Sequence, residues 1–199
     1  MSASARSGPR RRPAIPITDL PISWPIIIAS ALGLGLAAAM WWAYFDVTSL
    51  LAERALSALR GEHRSRLARD AYSYPHLPMI IGIILASLGL KKVLGYVGGD
   101  DGHTLADPIY GVPAVALCGG VALYLLGHVA FRYRTTKAVH LQRPVVAVLL
   151  LALIPVAGFL PSLLTLAIVT TSMIAVIVYE TLRFAEFREQ VRNDPAHEG

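Results

Sequence analysis

Polar and apolar residues in this chain are segregated into long blocks. Four stretches contain no Asp, Glu, Lys or Arg: residues 20–45, 71–90, 108–127 and 144–179. A run of about 20 apolar residues matches the hydrocarbon thickness of a lipid bilayer. The pattern therefore predicts helices that span a membrane.

The fourth stretch predicts two spans. Its 36 residues would form a single helix of about 54 Å, whereas the hydrocarbon core is about 30 Å thick. Pro155, Gly158 and Pro161 interrupt the stretch near its middle, where the chain is expected to fold back. The predicted spans are 22–45, 72–97, 109–131, 143–159 and 161–182.

Outside the spans, the pattern predicts three further segments. Residues 47–60 place apolar and charged side chains on opposite helical faces, which is typical of a helix in the plane of the membrane interface. Residues 1–20 predict a flexible Arg/Pro-rich tail, and residues 189–199 a polar C-terminal tail. The predicted fold is an all-α integral membrane protein, whose residues 21–188 form a bundle of about five transmembrane helices plus one interfacial amphipathic helix.

Small residues recur every four positions in the first span, at Ala29, Gly33 and Ala37. This spacing allows another helix to approach closely. A Gly/Ala-rich helix that faces lipid remains the alternative.

Composition excludes several classes of protein. Only 16% of the residues are charged and 55% are hydrophobic, whereas a soluble domain has about a quarter charged residues. An ordinary soluble enzyme and a disordered chain are thereby excluded. The net charge of +5 comes from bases that flank the apolar runs, which indicates membrane topology and no nucleic-acid partner. The single cysteine, Cys118, has no second thiol for a disulfide or a metal site.

The distribution of bases predicts the orientation in the membrane. Residues 46–70, 132–143 and 183–199 contain twelve Lys and Arg, whereas residues 98–107 and 158–161 contain none. The positive-inside rule places the basic segments, including the C-terminus, in the cytoplasm of a bacterial cell. An odd number of spans then places the Arg-rich residues 1–20 outside, against the same rule.

Ionisable residues near the cytoplasmic span ends are the first candidates for function, because charges inside a membrane are costly. They are Asp46, Asp70, His76, His128, Arg132, Glu180 and Arg183. One hypothesis is a proton or ion relay, in which the two histidines change charge near neutral pH. The other is a ring of interfacial anchors with local ion pairs.

Lys91 and Lys92 are the best single candidate site, for an anionic group that enters from outside. Adjacent helical residues point about 100° apart, so one lysine is expected to turn into the bundle or towards the acidic loop that contains Asp100, Asp101 and Asp107. The alternative is that both extend to the membrane surface.

Aromatic residues at the end of the first span predict interface anchors: Trp41, Trp42 and Tyr44. The loop around His103 offers metal ligands in a spacing that matches no known motif. Zinc-hydrolase, nucleophile-elbow and phosphate-loop motifs are absent from the sequence. We therefore expect no catalytic residues, no metal and no cofactor.

Several sequence motifs that contain polar residues occur in a consistent order from residue 22 to 188: WWAYFD at 41–46, RDAYSYPHLPMI at 69–80, LGLKK at 88–92, YLLGHVAFRYRTT at 124–136 and YETLRFAEFR at 179–188. In these motifs the chain resembles the C-terminal half of the bacterial low temperature requirement protein A family. The resemblance implies a multi-pass membrane protein without an established biochemical activity. It also implies that the family's N-terminal helices have no counterpart here.

The predicted function is that of a non-enzymatic membrane protein, a stress or envelope component. Its expected partners are the lipid bilayer and either a helical partner or a second copy that supplies the missing family helices. The alternative is part of a transporter or channel, with Lys91, Lys92 and the cytoplasmic His/Glu cluster lining the path.

Overall fold

A computed structural model of the chain describes residues 23–57, 62–99, 102–136 and 141–192, with side chains over 23–45, 76–99, 102–134 and 141–183. Every regular element in these ranges is helical. The elements are α1 (Trp24–Ser57), α2 (Glu62–Val97), α3 (Val112–Ala114), a π-helical segment (Val115–Gly119), α4 (Gly120–Thr136), α5 (Gln142–Ala157) and α6 (Ser162–Arg192).

Four apolar helical stretches in the described ranges are long enough to cross a bilayer: Trp24–Phe45, His76–Val97, Val112–Arg134 and Ser162–Arg183. Helix α5 is equally apolar but has 16 residues, so it is only about 24 Å long. The predicted fold class, an all-α membrane protein with four to five spanning helices, is confirmed.

Helices α1, α2 and α6 extend ten or more residues beyond the predicted spans. Helix α1 continues without a break to Ser57, so the predicted interfacial helix 47–60 is joined to the first span as far as the structure describes it. Helix α2 begins at Glu62 instead of residue 72, and α6 takes in the first residues of the predicted 189–199 tail. A helix satisfies its own backbone hydrogen bonds, so it has no reason to end at the membrane surface. Residues 1–20 lie outside the described residues.

Residues 102–111 and the turn 158–161 meet at one end of the bundle, here called the loop end. The Ser162 N–H donates a hydrogen bond of 3.1 Å to the Asp107 carbonyl oxygen. Pro108 and Pro161 form an isolated antiparallel bridge. The opposite end, here called the polar end, holds the contact of Tyr44 on α1 with His76 on α2 and the start of α5 at Gln142.

The continuous rod formed by α3, the π-helical segment and α4 is the central helix. Within Val112–Arg134, 67% of the residues in the apolar window are buried, against 28–39% in the other three spans. The rod packs against α1, α2 and α5. Its buried side chains include Val121, Tyr124, Leu125 and Phe131. Most side chains of the rod therefore point into the protein, whereas Val112, Val115, Leu126 and Tyr133 are exposed.

Glycines bring α2 and the central rod into backbone contact. A Cβ on Gly82 would lie 2.7 Å from both the Gly120 carbonyl oxygen and the Tyr124 amide nitrogen. Gly89 meets the backbone of Leu117 in the same way. Such close approach is how helices gain packing energy in lipid, where no hydrophobic effect drives them together.

Candidate functional site

Seven polar or aromatic side chains from five helices lie together at the polar end. We call them the polar cluster: Tyr44 on α1, His76 on α2, Tyr124, His128 and Arg132 on α4, Arg143 on α5 and Glu180 on α6. Tyr124, His128 and Arg132 are spaced four residues apart, which puts them on one face of α4. The central position of α4 turns that face towards the other helices.

A buried ion pair links α5 to α6. Arg143 Nε donates to both carboxylate oxygens of Glu180, at 2.9 and 3.2 Å, and Arg143 Nη2 donates to Oε2 at 2.6 Å. The two side chains are 5% and 8% exposed. Removing one partner of such a pair leaves an uncompensated buried charge and costs about 3–5 kcal/mol.

His128 is buried, with 3% of its surface exposed. Its Nδ1 lies 3.0 Å from the Tyr124 carbonyl oxygen. A carbonyl oxygen only accepts hydrogen bonds, so Nδ1 carries the proton and the lone pair of the neutral ring is on Nε2. Nε2 has no hydrogen-bond partner among the described residues. His128 Nε2 is therefore a buried acceptor atom that the described residues leave unused.

Tyrosines connect the histidines to α1. The Tyr44 hydroxyl lies 3.0 Å from His76 Nε2, and the Tyr44 ring meets the His128 ring edge-on at a centroid distance of 6.4 Å. The Tyr124 hydroxyl donates to the Met40 carbonyl oxygen. Tyr44 is thus part of the polar cluster as well as a predicted interface anchor, whereas Trp41 and Trp42 are exposed.

The structure brings together four of the predicted site residues and leaves others apart. His76, His128, Arg132 and Glu180 belong to the polar cluster. Arg183 is exposed, with its guanidinium 5.7 Å from the centre of the Tyr179 ring. The side chains of Asp46 and Asp70 lie outside the described residues.

Lys91 and Lys92 are both exposed on α2. Ala86, Val93 and Val97 form the buried side of α2. Neither lysine lies on that side. Neither lysine turns into the bundle, and a contact with the acidic loop stays a prediction, because Asp100 and Asp101 lie outside the described residues.

The loop end is ordered by its own polar contacts. Asp107 Oδ2 accepts the Thr104 N–H at 2.7 Å and lies 3.3 Å from His103 Nδ1. The Thr104 backbone hydrogen bond holds the pKa of the Asp107 carboxyl below its ordinary value. The His103 ring stacks on Tyr96 at a centroid distance of 3.7 Å. Among the described residues, no three His, Cys, Asp or Glu side chains lie together as metal ligands would.

The family model described as "Bacterial low temperature requirement A protein (LtrA)" matches residues 14–178. This chain belongs to the LtrA family. The match takes in every member of the polar cluster except Glu180, which follows it by two residues. Neither the curated proteins nor the solved structures include a significant match.

Membership in the LtrA family confirms the family resemblance that the ordered sequence motifs indicated. The membrane location follows from the apolar helices of this LtrA protein. The biochemical activity is not fixed by either finding.

Sequence reasoning missed two members of the polar cluster in this LtrA protein. Arg143 was counted only as a base for topology, although it directly precedes an apolar stretch of 36 residues. A charge in that position lies within the first turn of the span, and this position could have identified Arg143 as a candidate. Tyr124 gave no signal, because a tyrosine inside an apolar run does not reveal whether its hydroxyl has a partner.

Proposed function

We propose that this LtrA protein is a non-enzymatic envelope component whose polar cluster holds the membrane bundle together at its cytoplasmic end. The observation that carries the proposal is the ion pair between Arg143 and Glu180. Both charges are directed at each other and are buried, as expected for a structural contact. Catalytic groups would instead converge on an open pocket.

The orientation is part of the proposal. The twelve bases of residues 46–70, 132–143 and 183–199 support a cytoplasmic polar end, and the loop 98–111 is then outside the cytoplasm. The bilayer is the immediate partner. A helical partner or a second copy of the chain remains a prediction.

Transport is the second candidate, and the unused acceptor on His128 favours it. Against it, the buried His, Arg and Glu side chains among the described residues, His128, Arg132, Arg143 and Glu180, all lie at the polar end. Leu117, Val121 and Leu125 continue the core towards the loop end without a charge. Lys91 and Lys92 are exposed and line no path between these helices.

The proposal is tested by replacing the ion pair with apolar residues of similar size. Arg143→Met together with Glu180→Leu removes both charges, and such replacements of buried pairs are often neutral or stabilising. We expect the double variant to reach the wild-type level in the membrane and to restore low-temperature growth of a deletion strain. Glu180→Leu alone leaves the Arg143 charge buried and should lower the level of the protein.

Arg183→Ala is the matched control, because Arg183 lies one turn from Glu180 and is exposed. It should change neither protein level nor growth. If the double variant accumulates normally but does not restore growth, the charges do chemistry and the structural proposal fails.

A further inference from the structure

A cleft of about 370 Å³ lies between α1 and α2. Leu36 and Met40 line one side, Ile83 and Leu90 the other, and the Tyr124 ring of α4 also contributes. The cleft persists because the small residue Ala37 on α1 does not fill it. Its volume falls within the range of about 300–1,000 Å³ that is typical of ligand sites.

The cleft lies at hydrocarbon depth. Its walls come from residues 33–44 and 83–90, which fall inside the apolar stretches Trp24–Phe45 and His76–Val97. An apolar cleft between two membrane-spanning helices is open to the lipid chains beside it. We therefore expect hydrocarbon chains, and not water, to fill the cleft.

The wall of the cleft nearest the polar end leads to His128. Tyr44 and Tyr124 both line the cleft, and both rings contact the His128 ring, at centroid distances of 6.4 and 4.4 Å. The His128 ring is thus in contact with two residues of the cleft wall. Contact between a ligand in the cleft and Nε2 requires the half-buried Tyr44 ring to turn aside.

The chemistry of the polar end restricts the headgroup of the ligand. A neutral His128 with its proton on Nδ1 needs a hydrogen-bond donor at Nε2, such as a hydroxyl group. Arg134 is exposed at this end of α4 and lies outside the ion pair, so it attracts a phosphate. A lipid with an apolar chain, a phosphate and a free hydroxyl satisfies all three requirements.

We propose that the cleft between α1 and α2 binds one anionic glycerolipid, with an acyl chain against Leu36 and Leu90 and a headgroup hydroxyl donating to His128 Nε2. This inference goes beyond the structural role of the polar cluster. It requires that the bundle is folded and that the Tyr44 ring turns aside.

The test compares two lipids with identical acyl chains and identical charge. Phosphatidylglycerol has headgroup hydroxyls, whereas phosphatidylmethanol has a phosphate but no hydroxyl. Native mass spectrometry of the purified full chain, with equal amounts of both lipids, should show about fivefold more bound phosphatidylglycerol, the effect of one ordinary hydrogen bond. Equal retention of the two lipids overturns the hydroxyl contact.

Two variants locate the site. Ala37→Leu fills the cleft from an exposed position and should reduce binding of both lipids. Ala31→Leu is the control, because Ala31 is also exposed on α1 but does not line the cleft. Equal lipid binding by these two variants overturns the location.

His128→Phe removes the acceptor and keeps the ring volume. It should bind the two lipids equally while it retains lipid in the cleft, and a preserved preference for phosphatidylglycerol contradicts the assignment of Nε2. The comparison of the two lipids on the unmodified protein decides the proposal even if this variant does not fold.

Discussion

Individual side chains at the two ends of the bundle have different electrostatic surroundings. At the loop end, Asp107 accepts a hydrogen bond from a backbone N–H, and the contact favours the ionised carboxylate. At the polar end, the Glu180 side chain accepts hydrogen bonds from the Arg143 guanidinium inside the protein. The first contact orders a loop, whereas the second joins two helices.

The Asp107 contact predicts a dependence on pH. Because the Thr104 N–H lowers the pKa of Asp107, the contact stabilises the loop above the ordinary carboxyl pKa, and the stabilisation is lost as the pH falls through the lower folded value. Titration by NMR should give a lower pKa for Asp107 in the protein than in a peptide of residues 102–109. A pKa equal to the peptide value contradicts the contact.

Thr104→Pro removes the donating N–H and should raise the Asp107 pKa towards the peptide value. Thr104→Ser keeps the backbone N–H and is the control, for which little change is expected.

The close packing of α2 against the central rod depends on glycine positions that the sequence did not reveal. The four-residue spacing of Ala29, Gly33 and Ala37 drew attention to α1. There, Ala29 is buried and a Cβ on Gly33 would meet only the flexible end of Leu90, while Ala37 is exposed. The closest backbone approach uses Gly82, Gly89 and Gly120 instead. Spacing alone could not identify them, because it does not say which helix lies opposite.

Gly82→Ala should destabilise the bundle by about 1–3 kcal/mol, because the added methyl meets two backbone atoms of the central rod that cannot move aside. Gly119→Ala is the control, since the nearest atom to its Cβ is 3.7 Å away. It should change the free energy of unfolding by less than about 0.5 kcal/mol. Unfolding in detergent micelles measures both. Equal stabilities of the two variants would show that α2 and α4 do not pack as described.

At the scale of the whole molecule, the sequence was sufficient for the fold class because bilayer thickness imposes a length on every apolar run. It was also sufficient to group His76, His128, Arg132 and Glu180. Successive spans run in opposite directions, so the span ends that carry these residues lie at the same end of the bundle. The sequence could not find the pairing of Arg143 with Glu180, and it could not decide between the inward and the outward direction of Lys91 and Lys92. Both depend on how each helix is rotated about its axis, and side-chain packing sets that rotation.

The central claim is that the loop end and the polar end lie on opposite sides of a membrane, with the polar end in the cytoplasm. Labelling with a membrane-impermeant maleimide tests it directly. Cys118 is buried and is replaced by Ala, and a single cysteine is placed at the exposed Leu105 or the exposed Arg134. In intact cells, we expect Leu105→Cys to be labelled and Arg134→Cys to be labelled only after the membrane is opened. Labelling of both positions in intact cells, or of Arg134→Cys alone, would contradict the account.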